Sequence, residues 1–137
     1  AVRNGEVDFL LVNPGIYVNM EVRYRISRIV TLNNLINGEP SNIFGGVIFT
    51  RADRREINSL EDIRGKSLMA VDKTSLGGFQ MAWKELEDIG INPYRDTASL
   101  RFGGTHDAVV RAVQRGDVAV GTVRTGILEL MSEDGSA

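Results

Sequence analysis

The sequence predicts an α/β domain with a mostly parallel sheet flanked by helices. Short apolar runs typical of strands alternate along the chain with amphipathic helical patterns. The run at 7–12 is nearly all apolar, as in strands that are covered on both faces. Fifteen glycines against three prolines indicate many tight turns between these elements. With 137 residues, the chain has the length of one domain and can bury a core.

The composition excludes several functional classes. The chain contains no cysteine, which removes disulfides, zinc knuckles, iron–sulfur clusters and thiol catalysis. A single histidine rules out a multi-histidine metal site, so we expect no metal and no cofactor. A net charge of −2 argues against a nucleic-acid partner. No apolar run approaches the roughly 20 residues of a membrane span.

The N-terminal part predicts a strand, a helix and a second strand. The first strand is expected at 7–12. Asn13 is a good N-cap and Pro14 suits the first helical position, so a helix should begin there and run to about Val22. An alternating pattern at 25–32 predicts the second strand, and a polar loop should follow over 33–42.

From residue 44 onward, predicted strands and helices alternate regularly. The strands are expected at 44–50, 67–71, 99–102 and 118–123. The helices are expected at 59–63, 76–89 and 108–114, and a last one should begin at 127. Phe79, Trp83 and Leu86 form an apolar stripe along the second of these helices and are expected in the core.

The polar loops that follow the predicted strands hold most residues capable of binding a ligand. In open α/β sheets, ligands bind beyond the carboxyl ends of the strands. Four such loops contain the only histidine, several hydroxyls, a tyrosine, a lysine and an arginine; they are NPGIY (13–17), DKTSLGG (72–78), GGTHD (103–107) and TVRT (122–125).

The loop at 72–78 is the most specific of the four. A helix N-terminus offers free backbone N–H groups and a positive dipole end to an anion. Thr74 and Ser75 would add hydroxyl donors, and Gly77 would let a ligand approach the backbone. The alternative is that a hydroxyl only caps the helix and the glycines only allow close packing. The loop lacks the G-x-x-x-x-G-K-[ST] pattern of a P-loop.

Three further residues are candidates for the same anion site. His106 would donate an imidazole N–H from a second helix start, Tyr17 a phenol O–H, and Arg124 a guanidinium that matches two oxygens. The alternatives are a loop histidine, a half-buried core tyrosine and a surface arginine. A triad of Ser75 with His106 and an aspartate is disfavoured, because no G-x-S-x-G elbow is present.

Four motifs follow one another in an order that resembles a known family. They are VDFLLVNPGIY (7–17), SLEDIRGK (59–66), AVDKTSLGGF (70–79) and GGTHDAVVRAVQRGDVAVG (103–121). In this order they resemble the phosphate/phosphonate-type periplasmic solute-binding family. SLGGFQMAW (75–83) and GTVRTGILELM (121–131) are most similar to the periplasmic sensor region of tetrathionate-sensor-type histidine kinases. Leu76 replaces one hydroxyl of the family's loop, which argues against phosphonate itself as the ligand.

The resemblance implies a type II periplasmic-binding-protein-like lobe that is part of a two-lobed fold. Residues 1–42 would be the remnant of lobe one, 43–122 would form lobe two, and 123–137 would be a C-terminal helix returning to lobe one. Tyr17, Thr74, Ser75 and His106 fall on the family's ligand-contacting positions, Gly77 lies in the same loop, and Arg124 is added from its place after the last strand.

The expected function is that of a periplasmic ligand-sensing domain. It would bind a small anion, a sulfur oxyanion or a phosphonate-like molecule, between two lobes, and would catalyse no reaction. Its partner would be the rest of a membrane-anchored sensor histidine kinase. A homodimer is a further possibility that the sequence does not decide. The alternatives are the solute-binding component of an ABC importer, the effector domain of a transcription regulator, and an enzyme on the same fold.

Overall fold

The structure is a computed structural model that describes residues 1–36 and 38–135. For Ile36 it describes the backbone only. The chain divides into two units, Ala1–Ile43 and Phe44–Ala137, which are described separately below. This division falls one residue after the predicted end of the first segment at residue 42.

Among its described residues, the first unit contains a 3-10 turn at Val2–Asn4, one α-helix and one pair of short strands. Helix α1, Pro14–Tyr24, begins as predicted, since the Asn13 side chain accepts a hydrogen bond of 3.0 Å from the backbone N–H of Ile16. Strands β1, Asn34–Ile36, and β2, Glu39–Ser41, pair antiparallel. The predicted polar loop at 33–42 is therefore wrong in part, and Asn37 lies outside the described residues.

The two strands predicted for the first unit, at 7–12 and 25–32, are wrong. Neither 7–12 nor 25–32 forms a strand in the structure. A strand needs the backbone groups of a neighbour, and the described residues pair no other strand with these segments. Their apolar side chains are exposed instead: Phe9, Leu11 and Val30 each expose 78–79% of their surface.

The second unit is built on a four-stranded mixed sheet with the order β3-β6-β4-β5. Its strands are β3, Gly46–Thr50; β4, Ser67–Ala70; β5, Ser99–Phe102; and β6, Val120–Arg124. Strand β4 runs parallel to both β5 and β6, whereas β3 is antiparallel to β6. The sheet is thus mostly parallel, and all four strands were predicted to within two residues.

Helices cover both faces of this sheet. Helix α2, Met81–Asp88, follows one turn of π-helix at Leu76–Gln80 (the π-turn), and helix α3 spans His106–Arg115. The core on the α2 side contains Leu68, Leu86, Ile91 and Val120, and that on the α3 side contains Val109, Val110 and Val123. The predicted helix at 59–63 is a single 3-10 turn, Glu61–Ile63.

The last helix packs within the second unit. Helix α4, Ile127–Glu133, buries Ile127 and Met131 in the cluster that contains Val109 of α3. The assignment of 1–42, 43–122 and 123–137 to two lobes stays a prediction, and residues 136 and 137 lie outside the described part. Over 1–36 and 38–135, no helix is both long and apolar enough to cross a membrane.

Candidate functional site

The candidate site lies at the edge of the sheet where the three parallel strands end. Strands β4, β5 and β6 run in the same direction, so the loops that follow Ala70, Phe102 and Arg124 emerge at one edge. Strand β3 begins at this edge, because Gly46 pairs with Arg124 in antiparallel register. The sheet topology therefore brings three of the predicted loops together.

Ser75 caps the helical segment that begins at this edge. Its Oγ atom accepts a hydrogen bond of 3.1 Å from the backbone N–H of Gly78. Its carbonyl accepts one of 3.0 Å from the backbone N–H of Gln80, five residues on, which makes the first turn a π-turn. The Ser75 hydroxyl proton is given to no acceptor in the described part of the chain, so it is available to a ligand.

Thr74 is engaged with Asp72 in the same loop. The Asp72 carboxylate accepts hydrogen bonds from the Thr74 hydroxyl, at 2.7 Å, and from the Thr74 backbone N–H, at 2.8 Å. These two bonds lower the pKa of Asp72, the hydroxyl bond most. The Thr74 hydroxyl is thus a donor already in use, and the sequence reasoning missed Asp72 as its partner.

Gly77 and Gly78 are buried where the π-turn touches the sheet. A Cβ atom on Gly77 would lie 2.5 Å from the carbonyl oxygen of Gly45 and 2.8 Å from Cβ of Arg124. One on Gly78 would lie 2.6 Å from Oγ of Ser75. These glycines thus allow close packing, and the ligand-binding role expected for Gly77 stays a prediction. The same packing places the π-turn directly against Arg124.

His106 is joined to Arg124 by a hydrogen bond. The Nδ1 atom of His106 accepts from the backbone N–H of Arg124 at 3.3 Å. His106 is the first residue of α3, and the preceding Thr105 caps that helix by accepting from the N–H of Ala108 at 3.2 Å. Because Nδ1 accepts, the neutral ring carries its proton on Nε2, which no group in the described residues accepts.

The surroundings of His106 favour the neutral imidazole. Burial is the main cause that lowers the pKa of His106 from its ordinary value of 6.5, and the positive charge of Arg124 acts in the same direction. The carboxylate of Asp107 opposes them more weakly. At neutral pH, His106 is therefore an uncharged donor.

Two cations at this edge form no ion pair within the described residues. The Arg124 guanidinium donates to the carbonyl oxygen of Thr125 at 3.3 Å and meets no carboxylate. The ammonium group of Lys73 lies 6.0 Å from the centroid of the Phe102 ring at the end of β5. Two helix starts and two unpaired cations make this edge suitable for an anion.

Tyr17 belongs to the first unit, in helix α1. Its hydroxyl donates to a carboxylate oxygen of Glu21 at 2.5 Å, and this bond is the main cause that raises the pKa of Tyr17. The two side chains line a shallow hollow together with Ser27 and Arg28. The ligand-binding role expected for Tyr17 from the resemblance stays a prediction.

Within the second unit, the five predicted site residues Thr74, Ser75, Gly77, His106 and Arg124 lie in the loops and helix starts at this edge of the sheet. Arg124 is central, since it touches the π-turn that carries Gly77 and bonds His106, while Ser75 begins that turn. In the described residues, no three acidic or histidine side chains are grouped so that they would hold a metal ion. The arrangement offers neutral and cationic donors, which is the chemistry of anion binding.

Comparison with known proteins identifies the family. The profile of the family described as ABC transporter, phosphonate, periplasmic substrate-binding protein matches residues 1–137, the whole chain. The chain belongs to this family. As a phosphonate-binding-type domain it is related to periplasmic proteins, which confirms both the predicted resemblance and the predicted α/β class.

One curated relative is a sensor kinase. The tetrathionate sensor histidine kinase TtrS of Salmonella typhimurium is 34% identical over 137 residues, which are 98% of this chain and 23% of that protein. The chain thus spans about a quarter of the length of this relative. The resemblance to sensor regions of this type is confirmed.

Solved structures of periplasmic-binding type share the fold. PhnD1 from Prochlorococcus marinus, in complex with methylphosphonate, gives a TM-score of 0.60 at 18% identity, covering 67% of this chain and 36% of the other. XAC2383 from Xanthomonas citri bound to ATP gives 0.53 at 25% identity, covering 60% and 33%. This phosphonate-binding-type chain therefore spans about a third of the length of these structures.

Proposed function

We propose that this domain senses a small anion for a two-component sensor histidine kinase in the inner membrane. Membership in a periplasmic binding family and similarity to a sensor kinase support a periplasmic domain. The ligand would be a sulfur oxyanion or a phosphonate-like molecule, since the named relatives are a tetrathionate sensor and a protein solved with methylphosphonate. The domain binds this anion and catalyses no reaction on it.

One structural observation carries the proposal. The starts of two helical segments, at Ser75 and His106, meet at Arg124. The Arg124 side chain packs against the first segment, and the Arg124 backbone N–H donates a hydrogen bond to His106 at the start of the second. The Ser75 hydroxyl, the Nε2–H of His106 and the guanidinium N–H groups of Arg124 other than the one given to Thr125 are donors that the described residues leave unused. An anion held by all three would tie the two helix starts to the end of β6.

The signal would arise from a difference in affinity between two states. A ligand shifts a conformational equilibrium only by as much as it binds one state better than the other. Shifting a 1:99 mixture to 99:1 takes about a 10⁴-fold difference in affinity. Groups that come from separate elements, such as Ser75 and His106, provide such a difference if the ligand contacts all of them in one state alone.

Calorimetric titration of the full-length natural protein tests this function. The probes are sodium tetrathionate, thiosulfate, sulfate, phosphate and methylphosphonate, with a neutral sugar as the control. We expect binding of at least one anion and none of the sugar, and a weaker interaction in the Ser75→Gly and His106→Asn variants. A protein that binds none of the five anions contradicts the proposal.

The second candidate is the solute-binding component of an ABC importer, which the family description favours. Both candidates use the same donors, so binding does not separate them. Autophosphorylation of the full-length protein with labelled ATP does. A phosphoryl label whose level changes with the bound anion supports sensing, whereas a full-length protein that takes up no label supports transport.

A further inference from the structure

The core of the second unit contains a polar side chain that has no role in the site described above. Thr122 lies in the middle of β6, is 0% exposed, and is the one polar residue fully buried among those described. Its Oγ1 atom has no hydrogen-bond partner within the described part. A buried hydroxyl without a partner destabilises the folded state, so a valine of the same shape would give a more stable sheet.

The alternation of β6 places Thr122 beneath the candidate site. Successive side chains of a strand point to opposite faces, so Thr122 shares its face with Val120 and Arg124. Val120 packs in the cluster that contains Leu86 of α2. The Cβ atom of Arg124 lies against Gly77 of the π-turn. Thr122, between them, therefore faces the layer that α2 and the π-turn form.

That layer contains a second unusual feature. The helical segment starts with a π-turn in place of an ordinary α-turn. Single π-turns within helices are rare and occur frequently at functional sites. The unpartnered hydroxyl of Thr122 and the π-turn thus lie on the same side of the sheet. Each feature lowers stability, and together they indicate a use in binding.

We propose that Thr122 is a positioning residue of the anion site, whose O–H dipole turns toward the charge that the π-turn holds. The inference rests on the proposed function. The hydroxyl is free to rotate, because no group of the described residues holds it. In the interior, where the dielectric constant is low, an oriented dipole acts on a nearby charge more strongly than at the surface. The preferred ligand is then an anion whose charged oxygens lie on the π-turn.

A matched pair of variants in the full-length natural protein tests this role. Thr122→Val keeps the shape and removes the hydroxyl, whereas Thr122→Ser keeps the hydroxyl and removes a methyl group. We expect Thr122→Val to raise the midpoint of thermal unfolding yet weaken binding of the anions that bind in the calorimetric panel roughly three- to tenfold, an effect as large as that of one hydrogen bond. Thr122→Ser should lower the midpoint and keep the affinity of the natural protein.

The two readouts separate this role from a structural one. If Thr122 only filled space, Thr122→Ser would lower the stability of the protein, and neither Thr122→Ser nor Thr122→Val would change its affinity for the anion. Thr122→Val that binds the anion as tightly as the natural protein overturns the inference and leaves the proposed function intact. A natural protein that binds none of the five anions of the calorimetric panel overturns both.

Discussion

The backbone N–H of Arg124 donates a hydrogen bond to Nδ1 of His106, at 3.3 Å, and so joins the end of β6 to the start of α3. The bond fixes which nitrogen of the imidazole carries the proton. It also brings a guanidinium near the ring, which disfavours the imidazolium form. An anion bound at this edge would therefore meet a neutral N–H donor beside a cation.

The pair can be tested by titrating the single histidine. The Arg124→Gln variant removes the positive charge that helps to lower the pKa of His106, so the pKa of His106 should rise in this variant. Because the chain has one histidine, its ring signals in an NMR titration are unambiguous. Arg115→Gln, which breaks an exposed pair with Asp117, is the control and should leave the pKa of His106 unchanged.

The lowered pKa of His106 also predicts a pH dependence of stability. In the unfolded chain, His106 is protonated near its ordinary pKa of 6.5, whereas in the folded chain its pKa is lower, so it is protonated only at a lower pH. The unfolded state therefore carries more protons in this window, and the free energy of unfolding falls as the pH drops below about 6.5 and levels off below the folded pKa. Urea unfolding of the 137-residue chain between pH 5.5 and 7.5 measures this.

His106→Asn is the matched control for that dependence. Asparagine offers an acceptor in place of Nδ1 but does not titrate in this range. The variant should show a flatter profile between pH 5.5 and 7.5 than the natural chain. Equal slopes in the two proteins would mean that His106 is as easily protonated in the folded state as in the unfolded one.

Ser75 has two roles that different substitutions separate. Ser75→Ala removes the cap on Gly78 and should cost about 1 kcal/mol of stability, whereas Ser75→Gly should cost only a few tenths. Both remove the hydroxyl donor, so both should weaken anion binding. Unfolding by urea and calorimetric titration give the two quantities. If Ser75→Gly binds the anion as the natural protein does, Ser75 is a cap alone.

We expect a side chain at position 77 to have a strong steric effect at the centre of the site. In Gly77→Ala the new Cβ would lie 2.5 Å from the Gly45 carbonyl oxygen, so the π-turn must move away from the sheet. We expect a loss of about 1–3 kcal/mol in the free energy of unfolding. Gly103→Ala is the control, because its nearest neighbours, at 3.2–3.3 Å, are side-chain atoms, and it should cost clearly less. Equal losses would contradict the close approach.

Much of the site could be predicted from the sequence, because its parts are local. Ser75 and His106 were both expected at helix starts after apolar strands, and both lie at the starts of helical segments in the structure. The bond between His106 and Arg124 could not be predicted, since it joins residues 18 positions apart through the register of β6 against its neighbours. The π-turn was also missed, because it lies at the start of the helical segment, and a shift in apolar periodicity shows only where a longer stretch of helix precedes it.

The first unit shows where periodicity misleads. The apolar segments at 7–12 and 25–32 have the composition of strands, yet a strand forms only where another strand supplies its hydrogen bonds. The hairpin at 34–41 forms in a segment that is more polar, since its two short strands pair with each other. Local propensity therefore failed at the places where pairing with a distant segment decides the structure.

Hydrogen exchange tests the central claim most directly. The full-length natural protein is compared with and without a saturating concentration of the anion that binds in the calorimetric panel. We predict slower amide exchange in peptides that cover 75–80 and 106–109, and no change in a peptide that covers 84–90. Saturated binding that leaves the first two peptides unprotected would show that the anion sits elsewhere.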